Sequence, residues 1–440
     1  MADVLIVYSL VQWPPVAAAR DAVYAFERHS GARCWYLNLG VRRAPRWLAR
    51  VPFDAVIFQT SMLWDRVSPA TFARHRSKLH RLDGVGRHRV VLPQDEYLCS
   101  RALVDFIGEF DVDHIFSVAP ESEWEKLYAG VDRSRVGISR VLTGYLADET
   151  LKRIDAIVEE QAERPIVIGY RAAKVAPSLG RHGQLKAEVA ARVAQASAPR
   201  GLRVDIATGA ASTIRGDDWY RFLARCRYTL GVEGGASVHD PDGSIQQASA
   251  RYLDDHPKAG FEEIEAACFP HADGGLNYVA ISPRHFEAAA TRTAQILIEG
   301  SYNGILRPGE HYIELRRDFS NLDEVIDLVD RDSERARITE NAYRDLVASR
   351  AYSYERFVRE VEAVALAGSR APGPARALSL LARWAGVADR LSWIKVAVWV
   401  RTAGRLRAFA LRTFPEPVLR VIRRRVAGTA AETAALQSAE

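Results

Sequence analysis

Between Pro283 and Asn321 the chain reads PRHFEAAATRTAQILIEGSYNGILRPGEHYIELRRDFSN, and one carboxylate in it has a setting suited to chemistry. Glu287 opens a helix of small residues, Ala288 to Ala290, and an apolar run follows over 294–298. A turn-rich segment then carries Asn303, Gly304, Pro308 and Gly309. Small residues let a helix N-terminus sit close to a ligand, and its unpaired N–H groups suit an anionic one. A carboxylate there can accept two hydrogen bonds from a ribose diol; with no ligand it simply complements the helix dipole. The chemistry this pattern suggests is recognition of a nucleotide sugar. Arg284 and His285 flank Glu287, within reach of phosphates or sugar hydroxyls.

Further candidates lie upstream. Arg171 follows an apolar run at 166–170, and the turn-rich stretch after it leads through Gly180-Arg181-His182-Gly183 to Lys186 at a helix start. A guanidinium matches phosphate oxygens in a fork, and glycines let backbone N–H groups approach a diphosphate. A solvated basic loop is the other reading. Gly231-Val232-Glu233-Gly234-Gly235-Ala236-Ser237 places three glycines at a strand end, where ligands of open α/β sheets sit. Glu233 there either faces a sugar or nucleobase or belongs to a tight turn into His239-Asp240-Pro241-Asp242-Gly243. The aspartates of that Pro-Gly turn read as a plain loop, not a metal site. Asp95 and Glu96, in Gln94-Asp95-Glu96-Tyr97, are candidates for the group that takes a proton from an acceptor hydroxyl. Against this, acidic residues at strand ends are common helix caps. The Gln12-Trp13-Pro14-Pro15 and Gln59-Thr60-Ser61 loops would line the same rim.

The order F-E-A-A-A-x-x-x-A-Q-I-L, then N-G-I-L-x-P-G, then Y-S-Y-E-R-F at Tyr352 to Phe357 resembles the donor half of a GT-B glycosyltransferase. It is most similar to the family 1-like group that includes the spore-maturation (CgeB-type) glycosyltransferases. The likeness covers Arg164 to Val358. In the wider retaining group this segment holds two glutamates eight positions apart. The second contacts the nucleotide ribose and matches Glu287; the first falls at Val279. The resemblance implies two Rossmann-like domains facing a cleft and no catalytic metal. It implies no cofactor beyond a nucleotide diphosphate sugar as co-substrate. Arg171 and Lys186 would meet the diphosphate, and Tyr302, Asn303 and Gly304 would close around the donor. The implied activity moves a sugar to a glycan or lipid-linked acceptor in cell-envelope or polysaccharide biosynthesis. A 2-epimerase and a non-catalytic nucleotide-sugar-binding partner are the rival readings.

The elements that must position these residues alternate in α/β fashion. Apolar runs at 4–8, 34–37, 55–59, 89–92, 114–118 and 136–139 predict one set of strands. Those at 166–170, 203–206, 228–232, 295–298 and 312–315 predict a second. The expected division is an acceptor domain over residues 1–163, a donor domain over 164–352, a crossover helix over 353–368 and a basic helical tail over 369–440.

At 440 residues, with 48% hydrophobic and 26% charged residues, the chain has the composition of a globular protein of two or three domains. Its four scattered cysteines lack zinc spacing and suit a reducing compartment, so cytoplasm is the expectation, with peripheral attachment to the inner face of the cell membrane. Between Arg370 and Arg425 stand twelve arginines and one lysine against Asp389 and Glu416, a net of +11 in a chain of net +5. Trp384, Val387, Leu391, Ile394 and Val398 recur at three- and four-residue intervals, flanked by Arg383, Lys395 and Arg401. This reads as an interfacial helix on an anionic membrane or as a helix packed on the body; no nucleic-acid motif accompanies the charge.

Overall fold

The computed structural model of the chain describes residues 1–12, 17–161, 163–173, 175–209, 212–329, 331–368 and 376–413. Its strands are short apolar runs, several of them buried at every position. Strands covered on both faces have this composition and belong to parallel sheets between helices. Asp3–Tyr8 (β1), Arg33–Asn38 (β2), Ala55–Phe58 (β3), His88–Val91 (β4), His114–Ser117 (β5) and Gly137–Arg140 (β6) form one sheet in the order β2-β1-β3-β4-β5-β6. The pairings from β1 to β5 are parallel. Phe58, Phe72, Phe106 and Phe110 pack their rings together against this sheet.

The second sheet begins with Ile166–Ala172 (β7), Val204–Thr208 (β8) and Cys226–Gly231 (β9). Gly234–Ala236 (β10) and Tyr278–Ala280 (β11) lie outside it, and Ala294–Ile298 (β12) and Ile313–Leu315 (β13) complete it. Its order is β13-β12-β9-β7-β8, all parallel. Two parallel α/β sheets are therefore present, as the alternation of apolar runs predicts.

β10 and β11 are a correction. Gly234 and Gly235, expected to approach a ligand, instead form a strand paired antiparallel with β11. Gly235 has φ of 142°, and a side chain there would overlap the Tyr278 carbonyl. The glycine is needed for backbone approach, but the neighbour is another strand.

The chain forms two compact units, one of residues 1–117, 128–139 and 358–440, the other of 118–127 and 140–357. The expected boundary at 163–164 thus moves upstream. The helix Asp148–Glu160 buries Ile154 and Ile157 in the cluster that holds Trp219, Phe222 and Phe286 of the second unit. The chain rejoins the first unit at Val358, inside the helix Tyr354–Ala365.

The basic tail is helical over Arg376–Thr413 and packs against β2 of the first unit. Buried Asp389 accepts hydrogen bonds from the hydroxyls of Tyr8 and Tyr24, each at 2.8 Å, and Trp393 Nε1 donates to Tyr24 at 2.7 Å. Burial pushes the Asp389 carboxyl up, and the two tyrosine hydroxyls hold it back. The tail is therefore an integral part of the first unit on one face. Pro415, Pro417, Arg420 and Arg423 to Arg425 lie outside the described residues.

Candidate functional site

Strand order locates the crevices. In the second sheet β8 and β9 lie on opposite sides of β7, so the topological switch falls between β7 and β9. Ligands of open α/β sheets bind outside the carboxyl ends of strands at such a point. The helix Pro283–Ala290 begins there. Its Arg284 donates to the Arg171 carbonyl in β7 at 2.6 Å, and the His285 ring abuts Gly231 at the end of β9.

Ser282 caps this helix by accepting from the Arg284 N–H, and Pro283 fits its first turn. The approach to the helix is held from two sides: Thr143 Oγ1 donates to the Ile281 carbonyl at 2.6 Å, and the Ile281 N–H donates to Asn303 Oδ1 at 2.8 Å. Arg284 stacks over Trp219 with its guanidinium carbon 5.1 Å from the ring centroid, and Trp219 Nε1 donates to Glu287 Oε2 at 2.8 Å. Arg284 and Glu287 are both half-buried on one helix, bridged by one indole. Burial raises the Glu287 carboxyl above its ordinary value, and the Trp219 hydrogen bond and the Arg284 charge pull it back. Lys186 is half-buried, and its charge acts on both His182 and His285.

Other candidates in this unit hold structure. Arg171 Nη2 pairs with Asp205 at 2.7 Å, Nη1 donates to the carbonyls of Tyr170 and Asp205, and the group lies over Phe222. With those donors taken inside the fold, direct contact with a diphosphate does not fit this conformation. Glu233 is buried and accepts from the N–H groups of Ser301 and Tyr302 and from the Ser301 hydroxyl, at 2.6 to 3.1 Å. It fastens the 301–304 turn. His285 is buried with Nδ1 against Gln295 at 2.9 Å, and burial pushes its pKa down to about 4. Tyr302 is enclosed and donates its hydroxyl to the Ile298 carbonyl; Asn303 serves Ile281; Gly304 completes the turn with φ of 70°. Glu233, the 301–304 turn and Ile281 thus form one hydrogen-bonded scaffold.

The start of the helix Gly180–Ser197 is also occupied. Asp273 accepts from the Arg181 N–H at 3.1 Å and from Ser237 Oγ at 2.6 Å, and Ser237 Oγ accepts from the His182 N–H at 3.2 Å. A protein carboxylate sits where an anionic ligand would. The Asp240 carboxylate likewise accepts from the Ile245 and Gln246 N–H groups, so it caps a helix. Asp273 and Trp219 carried no sequence signal, because each works through residues far along the chain.

In the first sheet the switch falls between β1 and β3. Gln59 is buried there with its side-chain nitrogen unpartnered, Thr60 donates to the Leu92 carbonyl at 2.6 Å, and the Ser9 N–H donates to Ser61 Oγ. Gln12 is described, whereas Trp13, Pro14 and Pro15 lie outside the described residues. Glu96 does not fit the role of proton acceptor. It is 0% exposed and accepts from Ser117 Oγ at 2.8 Å and Tyr128 Oη at 3.2 Å. Asp95 is half-exposed with φ of 53°, and buried Arg66 clamps its segment by donating to the carbonyls of Gln94, Asp95 and Leu98.

Among the described residues one group has metal-ligand geometry: Glu310, His311 and Asp345, with ligand-type atoms within 4.8 Å of one another. Arg307 pairs with both carboxylates, and Arg344 holds the Asp345 carboxyl down at about 2. The arginines already supply the charge a cation would bring. A cavity of 460 Å³ is lined by Arg164, Arg227, Asp332 and Arg335 at the amino ends of β7 and β9, away from the switch point.

No protein-family model matches the chain, and no curated protein matches it in sequence. Solved structures to which it is similar include Anabaena HepE in complex with UDP-glucose, at 11% identity and a TM-score of 0.43 over 82% of this chain and 99% of that one. AviGT4, a glycosyltransferase involved in avilamycin A biosynthesis, matches at 12% identity and 0.43 over 84% and 99%. The pneumococcal O-GlcNAc transferase GtfA, in complex with UDP and GlcNAc, matches at 10% and 0.37 over 71% and 56%.

Proposed function

We propose that the chain is a GT-B glycosyltransferase, related to the family 1-like group, that moves a sugar from a nucleotide diphosphate sugar to a glycan or lipid-linked acceptor. One observation carries this reading: Arg284 and Glu287 stand on the first turns of a capped helix at the switch between β7 and β9, tied by Trp219. A half-buried carboxylate suits a ribose diol, and a guanidinium beside it suits the diphosphate. Arg284 and Lys186 would stabilise the negative charge that grows on the leaving diphosphate, without a metal. In an inverting route Asp95 takes the acceptor hydroxyl proton as the acceptor oxygen bonds to the anomeric carbon. The bond from that carbon to the diphosphate oxygen breaks, and the nucleoside diphosphate leaves. The expected pathway is cell-envelope or polysaccharide biosynthesis.

A thermal-shift screen against UDP-, GDP-, dTDP- and CMP-sugars tests the reading, because a ligand that binds the native state raises its melting temperature. No shift with any of the four would count against it. A second reading, a non-catalytic nucleotide-sugar-binding subunit, is favoured by Val279, buried in β11 where the resembling enzymes carry a glutamate. Donor hydrolysis without acceptor separates the two: slow turnover supports the transferase, and binding with none supports the subunit.

A further inference from the structure

The helix Arg376–Thr413 has two faces of opposite character. One carries Ala385, Asp389 and Val396, all buried on the first unit. The other carries Leu381, Trp384, Val387, Leu391, Ile394 and Val398, which are 43 to 70% exposed, with Trp384 at the upper limit. At 3.6 residues per turn these six share one side, and the stripe runs for about 25 Å. A contiguous apolar stripe of this length on a folded surface marks an interaction site.

The charges say what covers it. Arg383, Arg390, Lys395 and Arg401 are exposed along this helix, while Asp389, its one carboxylate, is buried under Tyr8 and Tyr24. A second copy of the helix would bring these cations together with no exposed carboxylate of the helix to meet them. An anionic bilayer offers both an apolar layer and counter-charge. Among the described residues no helix is long and apolar enough to cross a membrane, so the fitting geometry lies in the surface plane.

We propose that the Leu381-to-Val398 face of this helix seats on an anionic lipid bilayer, while Asp389, Tyr8, Tyr24 and Trp393 lock the opposite face to the sheet. The lock makes the surface a rigid docking face of the first unit. This does not depend on the donor-site reading.

The test is co-sedimentation of the full chain with phosphatidylcholine vesicles containing about a third phosphatidylglycerol, against pure phosphatidylcholine. Binding is expected to the anionic vesicles and to weaken with added salt. Replacing Arg383 and Lys395 by Gln should lower partitioning about 30-fold, at about fivefold per cation. The double change Trp384→Ser and Leu391→Ser should lower it at least about tenfold. Both variants alter exposed side chains, so their melting temperatures should match the parent. The proposal is overturned if the chain ignores anionic vesicles at low salt, or if it binds neutral vesicles equally well. It is also overturned if light scattering shows a dimer that the Trp384 and Leu391 changes dissolve, which would assign the face to a second copy.

Discussion

Glu96 and Glu287 invite comparison, because both lie in segments that sequence pattern singles out for chemistry and they behave in opposite ways. Glu96 is closed over by two neutral hydroxyls, from β5 and from Tyr128, and has no surface left. Glu287 keeps part of its surface and sits beside an indole and a guanidinium that reach the carboxyl end of β7. A carboxylate surrounded by hydroxyl donors anchors the chain. One with a cation at hand and an open side can meet a ligand.

The largest effect expected from this contrast falls on the neighbour of Glu96. Asp95→Asn should lower turnover about 100- to 10,000-fold with donor affinity unchanged. Full turnover would remove Asp95 as the base. Next come His182 and His285, which back the second region; burial holds both near a pKa of about 4. The unfolded rings take protons below about pH 6.5. As pH falls from there to 4, the unfolded state gains protons that the folded rings refuse, and stability drops by up to about 3 kcal/mol per ring. Histidine resonances that follow the titration in folded protein would separate the cases: signals from these two rings titrating near 6.5 contradict the burial.

Glu96→Ala should then lower stability by about 3 kcal/mol, since it leaves two buried hydroxyls short of an acceptor. A denaturant titration reads this directly. Normal stability in Glu96→Gln together with a hundredfold loss of turnover would return Glu96 to the acceptor site. The smallest effect is that of Glu287→Gln, a loss of about 1.5–3 kcal/mol in donor binding by calorimetry with the fold intact. Unchanged affinity would erase the distinction between the two carboxylates.

Much of the architecture was legible because parallel strands buried on both faces leave uninterrupted apolar runs. All eleven strands of the two sheets overlap the runs read from the sequence, though the edge strands β6 and β8 are neither wholly apolar nor buried. The β10–β11 pair was not legible: Gly234 to Ala236 has no apolar pattern, and Gly235 is fixed by Tyr278 far along the chain. Local structure at the site was readable where local sequence decides, as in the helix of small residues around Glu287, which spans Pro283–Ala290. The destinations of side chains were not. Arg171 is spent on a residue 34 positions away, and Glu233 on a backbone N–H 69 positions away. Partners at that distance come from topology, which neither residue spacing nor motif encodes.

The lock between Asp389 and the two tyrosines also dictates an order of events during synthesis. Tyr8 and Tyr24 precede their carboxylate by 381 and 365 residues. At about 5–20 residues per second, the ribosome needs about 20 to 75 s to cover that interval. During it the edge strand β2 lacks the helix that packs on it, and the whole of the second unit is made before that helix. The first segment made is thus among the last to be finished. A nascent chain stalled before residue 389 would present an uncovered strand, the kind of surface that chaperones hold and proteases find.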